Sequence, residues 1–263
     1  MLAVRQPAVA GMFYPADTRQ LAHEVQQLLA EARTSDLIPK ALIVPHAGYI
    51  YSGAIAATAY ATLLPVASSI RRVVLLGPTH RVAVRGLALP DAEAFDTPLG
   101  RVALDTVGAR AIAQLPQVSI SAQAHALEHS LEVQLPFLQS ILTDFTLLPL
   151  AVGMATAEEV AEVLESVWGG DETLIVISSD LSHYLPYATA KRVDKETAQS
   201  ILDLHQPIAH DHACGGTPIS GLIVAARKHH LAPHLLDLRN SGDTAGSHER
   251  VVGYAAFAFT PAT

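Results

Sequence analysis

Residues 71–80 read RRVVLLGPTH, a short apolar run of Val and Leu closed by Gly and Pro, with a histidine just beyond it. A run this short and this apolar reads as a strand buried on both faces, as in parallel sheets covered by helices. Two other segments repeat the pattern: ALIVP (41–45) leads to His46, and TLIVISSDLS (173–182) leads to His183. Side chains at the carboxyl ends of neighbouring strands converge on one rim of an open α/β sheet, where such folds bind ligands. His46, His80 and His183 are therefore expected together on one rim.

The surrounding sequence fits that frame. Leu21, Val25, Leu28 and Leu29 recur at helical spacing between Asp17 and Ala32, and an Ala-rich helix is predicted from Gly53 to Leu64. Between Gly86 and Asp105, two β-like pieces flank DTPLG (96–100), which predicts a hairpin. A helix is predicted over 128–142, with Pro136 at a kink or an internal boundary. FTLLPLAV (145–152) reads as another buried strand, and Thr156 with Glu159 forms a capping box for a helix running to about Trp168. Helices are expected over 188–204 and 218–230, and HLLDLR and VVGYAAFAF close the chain as strands. Alternating strands and helices predict an α/β fold with a largely parallel central sheet flanked by helices on both faces. No linker or repeat divides residues 1–263, so one domain is expected.

Composition narrows the function. The formal charge is −8 and no Lys/Arg cluster occurs, which argues against nucleic-acid binding. No apolar stretch approaches the roughly 18–20 residues of a membrane helix, and the polar first thirty residues do not read as a secretion signal. A cytoplasmic protein without a membrane partner is the expectation, and a single cysteine agrees with a reducing compartment.

That cysteine, Cys214, lies in ACGGTPISGL, where the glycines allow a close approach of the backbone to the rim. Imidazole and thiolate together suit iron, copper or zinc rather than magnesium or calcium. Cys214 also reads as a buried inert thiol or as a nucleophile served by His183. Asp180 and His183, three residues apart, read as an acid–base pair, and equally Asp180 reads as a helix N-cap. His129 and Glu132 are expected on one side of the 128–142 helix, as a structural pair or a site contact. The remaining histidines, such as His23 and His205, lie in polar segments and read as solvated.

Several motifs recur together in one known family. They are Arg5-x-Pro-Ala-x-Ala-Gly-x-Phe-Tyr-Pro15, Pro45-His-Ala-Gly-Tyr49, Leu76-Gly-Pro-Thr-His80, Glu128-His-Ser-Leu-Glu-Val-Gln-Leu-Pro136, Ser178-Ser-Asp-Leu-Ser-His183 and Cys214-Gly-x-x-Pro-Ile219. In this order they resemble the Memo family, in particular its prokaryotic branch called AmmeMemoRadiSam system protein B. The resemblance implies a fold like that of class III extradiol dioxygenases, in which two histidines and a glutamate hold Fe(II) and a further histidine moves protons. Carried onto this chain, it puts His46, His80 and Cys214 in the metal-ligand positions and His183 in the acid–base position; from its spacing to His183, Asp180 is expected to orient that imidazole. The thiolate in place of a carboxylate makes the site softer and admits copper.

The expectation is a metal protein, with Fe(II) first and copper or zinc as alternatives, acting with O₂ on a small phenolic or catechol-like substrate. Tyr49 or His129 would line the substrate pocket. Two other readings stand beside it: an adaptor that binds an anionic or phosphorylated peptide in the same cleft, disfavoured by the missing arginine cluster, and a zinc-dependent hydrolase.

Overall fold

The computed structural model describes residues 3–33 and 35–262. In chain order the strands are β1 (Val4–Arg5), β2 (Ala41–Val44), β3 (Arg72–Pro78), β4 (Leu87–Leu89), β5 (Ala94–Thr97), β6 (Gly100–Ala103), β7 (Val118–Ile120), β8 (Thr146–Val152), β9 (Thr173–Ser178), β10 (His183–Leu185), β11 (Leu231–Asn240) and β12 (Val251–Pro261). The helices are α1 (Thr18–Glu31), α2 (Tyr49–Ala61), α3 (Thr106–Ile112), α4 (Ala122–Ala126), α5 (Leu135–Ile141), α6 (Ala157–Ser166), α7 (Tyr187–Leu202) and α8 (Gly216–Lys228).

The apolar runs form the middle of a nine-stranded sheet in the order β10-β12-β2-β9-β3-β8-β4-β7, with β11 on the other edge of β12. Alternate side chains of these strands enter separate cores. Leu42, Val44, Val73, Leu75, Leu174 and Val176 pack with residues of α1, α2 and α5. Ala41, Ile43, Val74, Leu76, Ile175 and Ile177 pack with residues of α6 and α8. Each buried aliphatic side chain contributes roughly 1.5–3 kcal/mol relative to exposure. A one-residue slip would exchange the two faces, so burial on both sides pins the register.

Helices on both faces agree with expectation, but the largely parallel sheet does not. β2, β9, β3 and β8 are parallel to one another, whereas β12 joins β2, and β4 joins β8, antiparallel. The sheet is mixed. The reason at one side is the closing hairpin: β11 and β12 are adjacent in sequence and pair antiparallel, and β12 then docks on the free edge of β2. The hairpin around 96–100 forms as β5 and β6, to which β1 adds a third, parallel strand.

The Thr156–Glu159 capping box opens α6 where the sequence predicts it. At the start of α1, Asp17 accepts from the N–H groups of Arg19 and Gln20, a cap that the helical spacing alone did not single out. The helix predicted over 128–142 departs from expectation. Residues 128–131 are irregular, 132–134 form a 3₁₀ turn, and α5 starts only at Leu135, so Pro136 sits in its first turn, at the internal boundary that was one of its two expected places. The cause is that both carboxylates of this segment serve distant partners. Glu132 is fully buried, forms an ion pair with Arg5, and accepts from Tyr14 Oη (2.5 Å) and the N–H groups of Ala8 (2.8 Å) and Val9 (3.0 Å). Arg5 in turn donates to the carbonyls of His125 (3.0 Å) and Glu128 (2.7 Å), so the N-terminal segment holds the 125–132 loop in place. Among the described residues, no helix is long and apolar enough to cross a membrane.

Candidate metal centre

β2 and β3 end just before His46 and His80, and β9 ends just before Ser179 and Asp180, so the predicted rim exists at the carboxyl ends of parallel strands. His46 is 2% exposed. Its Nδ1 lies 2.9 Å from Ser178 Oγ. That hydroxyl donates its one proton to the Ser130 carbonyl (2.5 Å) and accepts from Gln134 Nε2 (2.8 Å). It has only a lone pair left for the imidazole, so Nδ1 of His46 carries the proton and Nε2 is unprotonated. Burial, reinforced by the neighbouring imidazoles of His129 and His80, holds the ring neutral by driving its pKa well below the ordinary value.

His80 is held by a carboxylate. Glu128 accepts from the backbone N–H of His80 (2.6 Å), from His80 Nδ1 (2.8 Å) and from the N–H of Ser130 (2.9 Å). Burial pushes the Glu128 carboxyl up, but the His80 ring and these N–H groups outweigh it and bring its pKa to about 2. An ionised carboxylate on Nδ1 fixes the tautomer and leaves Nε2 as the outward nitrogen, the usual way an outer partner prepares a ligating histidine. Gly77 makes this contact feasible, since a Cβ there would lie 2.8 Å from Ser130 Oγ. Glu128→Gln keeps the shape but removes the charge, and metal affinity measured by competition with a chelator is expected to fall by about 10–100-fold.

The third imidazole is His129. Its ring stacks on His80 at 4.6 Å and meets His46 edge-on at 5.4 Å, and burial lowers its pKa to about 4. Ligand atoms of His46, His80 and His129 all lie within 4.8 Å of one another, so these three histidines can hold a metal ion. His129 was expected among pocket-lining residues; it stands within ligand range. Its expected companion Glu132 faces away, toward Arg5.

Cys214 approaches from behind His46. Its Sγ is 3.3 Å from His46 Nε2 and 3.7 Å from the Asp180 carbonyl oxygen. Gly215 permits this, because its N–H donates to Ser179 Oγ at 2.9 Å and a Cβ would lie 2.6 Å from Ser179 Cβ. Burial pushes the thiol up to about 12, so without a metal the neutral S–H donates to the unprotonated His46 Nε2. A metal held by both atoms would take the place of that proton. Alkylation by iodoacetamide in mildly alkaline, metal-free buffer is therefore expected to run at least about tenfold slower than for an unstructured cysteine peptide. A rate equal to the peptide's would contradict the buried, protonated thiol.

Asp180 neither caps a helix nor contacts His183. Its Oδ1 accepts from the backbone N–H of His46 at 2.7 Å, and burial lifts its pKa to about 7. It positions the His46 backbone. His183 opens β10, and burial lowers its pKa, so it is a neutral imidazole at neutral pH. His46, His80, His129, Asp180 and His183 all line one open cleft of about 590 Å³. Tyr49 does not reach it: the ring is buried against Tyr14 and Phe137, and its hydroxyl donates to the Val133 carbonyl at 2.7 Å. Tyr51 lines the cleft in its place, with Phe13, Tyr184 and Tyr254. The supporting roles of Ser178, Gln134 and Glu128 were not foreseen, although all three lie inside the quoted motifs.

The family model described as "Memo-like protein" matches residues 5–258. A "MEMO1 family protein" of Aquifex aeolicus is 35% identical over 271 residues, covering 98% of this chain and 100% of that one. Those of Metallosphaera sedula and Methanosarcina barkeri are 34% and 36% identical, covering 97% and 96% of this chain and 99% and 98% of theirs. Among solved structures, an uncharacterized protein, JW3007, from Escherichia coli K12 aligns with a TM-score of 0.49 and 14% identity, over 81% of this chain and 98% of that one.

Proposed function

The chain belongs to the Memo family, and from that premise we propose that it is a metal-dependent redox enzyme, folded as one Memo-like domain, that works on a small phenolic or catechol-like substrate with O₂. The observation that carries the reading is the preparation of His46 and His80: each Nδ1 is engaged by a buried partner, so both Nε2 atoms are available at one rim. Cys214, 3.3 Å from His46 Nε2, is the third ligand in this reading, and His129 stands beside the site as a neutral imidazole able to contact substrate. Two imidazoles and a thiolate fit iron, copper or zinc and do not fit magnesium or calcium, with Fe(II) the first choice. When bound, such a metal supplies Lewis acidity and, for iron or copper, one-electron chemistry. The protein's own part is to bind the aromatic ring among Phe13, Tyr51 and Tyr184 and to move a proton at His183. The kinship with class III extradiol dioxygenases belongs to this proposal and rests on the motif resemblance.

The test is anaerobic loading with Fe(II), metal analysis, then oxygen uptake on addition of a catechol. Metal-dependent uptake is the expected result. Stoichiometric metal with no uptake across a panel of catechols removes the oxygenase reading. Ester or phosphoester hydrolysis by the zinc-loaded protein would favour the hydrolase instead.

A further inference from the structure

One group at the cleft takes no part in the metal chemistry. Arg250 directly precedes β12, and its guanidinium carbon lies 5.1 Å from the centre of the Tyr184 ring. Tyr184 is 61% exposed and sits at φ 58°, a left-handed backbone that a tyrosine adopts at a cost. Strand pairing fixes the residues that flank both, with His183 opposite Val252 and Leu185 opposite Val251 and a register shift at Tyr184 between them. The arginine is thus held by an aromatic face and a strand edge. Among the described residues no carboxylate forms an ion pair with it, which leaves its fork of N–H donors available.

The rest of the lining sharpens the point. Asp180, the lining carboxylic acid, is turned to the backbone of His46. Arg250 is the one Lys or Arg among the cleft-lining residues, which also include the hydroxyl residues Ser241 and Ser247. We propose that Arg250 is the specificity-determining residue of this cleft and that the ligand is an aromatic acid, its ring lying against the tyrosines and its carboxylate received by the Arg250 guanidinium. A planar guanidinium matches a carboxylate in charge and in its two-pronged geometry. A phosphate dianion would leave one charge uncompensated in a chain of net charge −8. The proposal deepens the reading of the cleft as a substrate site and rests on it.

The test uses metal-free protein, so that it succeeds or fails separately from the metal chemistry. Benzoate, its neutral isostere benzamide, and phenyl phosphate are titrated calorimetrically at low ionic strength into the parent, Arg250→Ala and Arg250→Lys. Charge-assisted hydrogen bonds of the usual strength predict benzoate binding at least about tenfold tighter than benzamide. That preference disappears in Arg250→Ala and survives in reduced form in Arg250→Lys, which keeps the charge and loses the fork. Benzoate binding no tighter than benzamide, undetectable binding included, overturns the proposal, as does a preference retained in Arg250→Ala. Phenyl phosphate binding tighter than benzoate in an Arg250-dependent way overturns the carboxylate assignment in favour of a phosphorylated ligand.

Discussion

His46→Ala and His80→Ala are each expected to leave a folded protein that has lost most of its metal. Ligating groups act jointly, and removing an outer partner of a metal ligand already costs about 10–100-fold in affinity, so losing the ligand itself should exceed 100-fold. The two variants differ in what they leave behind. His46→Ala opens a space under the rim and strands the Cys214 thiol and one lone pair of Ser178. His80→Ala is the gentler change, because Glu128 keeps the N–H groups of residue 80 and Ser130. Elemental analysis after Fe(II) loading, with a thermal unfolding curve as the control for folding, decides the matter. Metal content equal to the parent's in both variants sinks the site.

The second large effect separates proton transfer from ligation. His183→Ala should keep its metal and lose turnover by roughly 10²–10⁴-fold, the usual range for general acid–base catalysis. Burial lowers the pKa of His183, and a base must be unprotonated to act. The acid limb of the parent's kcat/KM profile should therefore lie below the ordinary histidine value near 6.5, with activity falling as pH drops through it, and this limb should vanish in the variant. Loss of metal as complete as in His46→Ala would instead make His183 a ligand.

How much of this was legible beforehand can be followed residue by residue. ALIVP, RRVVLLGP and TLIVISS revealed their strands because an apolar run flanked by Gly, Pro or Ser is a local statement, and a histidine one or two residues past a strand end inherits that strand's direction. The cap at Thr156 was legible for the same reason: its side chain and the Glu159 amide it satisfies are three residues apart. The 128–142 segment misled because its apolar spacing is helical while its two glutamates are claimed from far away, Glu128 by His80 and Glu132 by Arg5. Tyr49 and Tyr51 differ by two positions on one helix, which turns one into the core and the other toward the cleft, and only the direction from which Phe137 packs tells them apart.

Buried strands alternating with helices, His46 and His80 at strand ends, and an imidazole–thiol set suited to a transition metal are all written in the chain's local order of residues. These follow from periodicity and side-chain chemistry within a few residues. The tertiary structure alone decided the mixed sheet, the place of His129 within ligand range, the engagement of Asp180 with the His46 backbone, and the Arg250–Tyr184 pair at the mouth. Each depends on contacts between distant segments, such as His80 and Glu128, 48 positions apart, or His46 and Cys214, 168 apart. Nothing in local propensity encodes such a meeting. It arises when the two faces of the sheet are covered and the loops between strands are forced across the same rim.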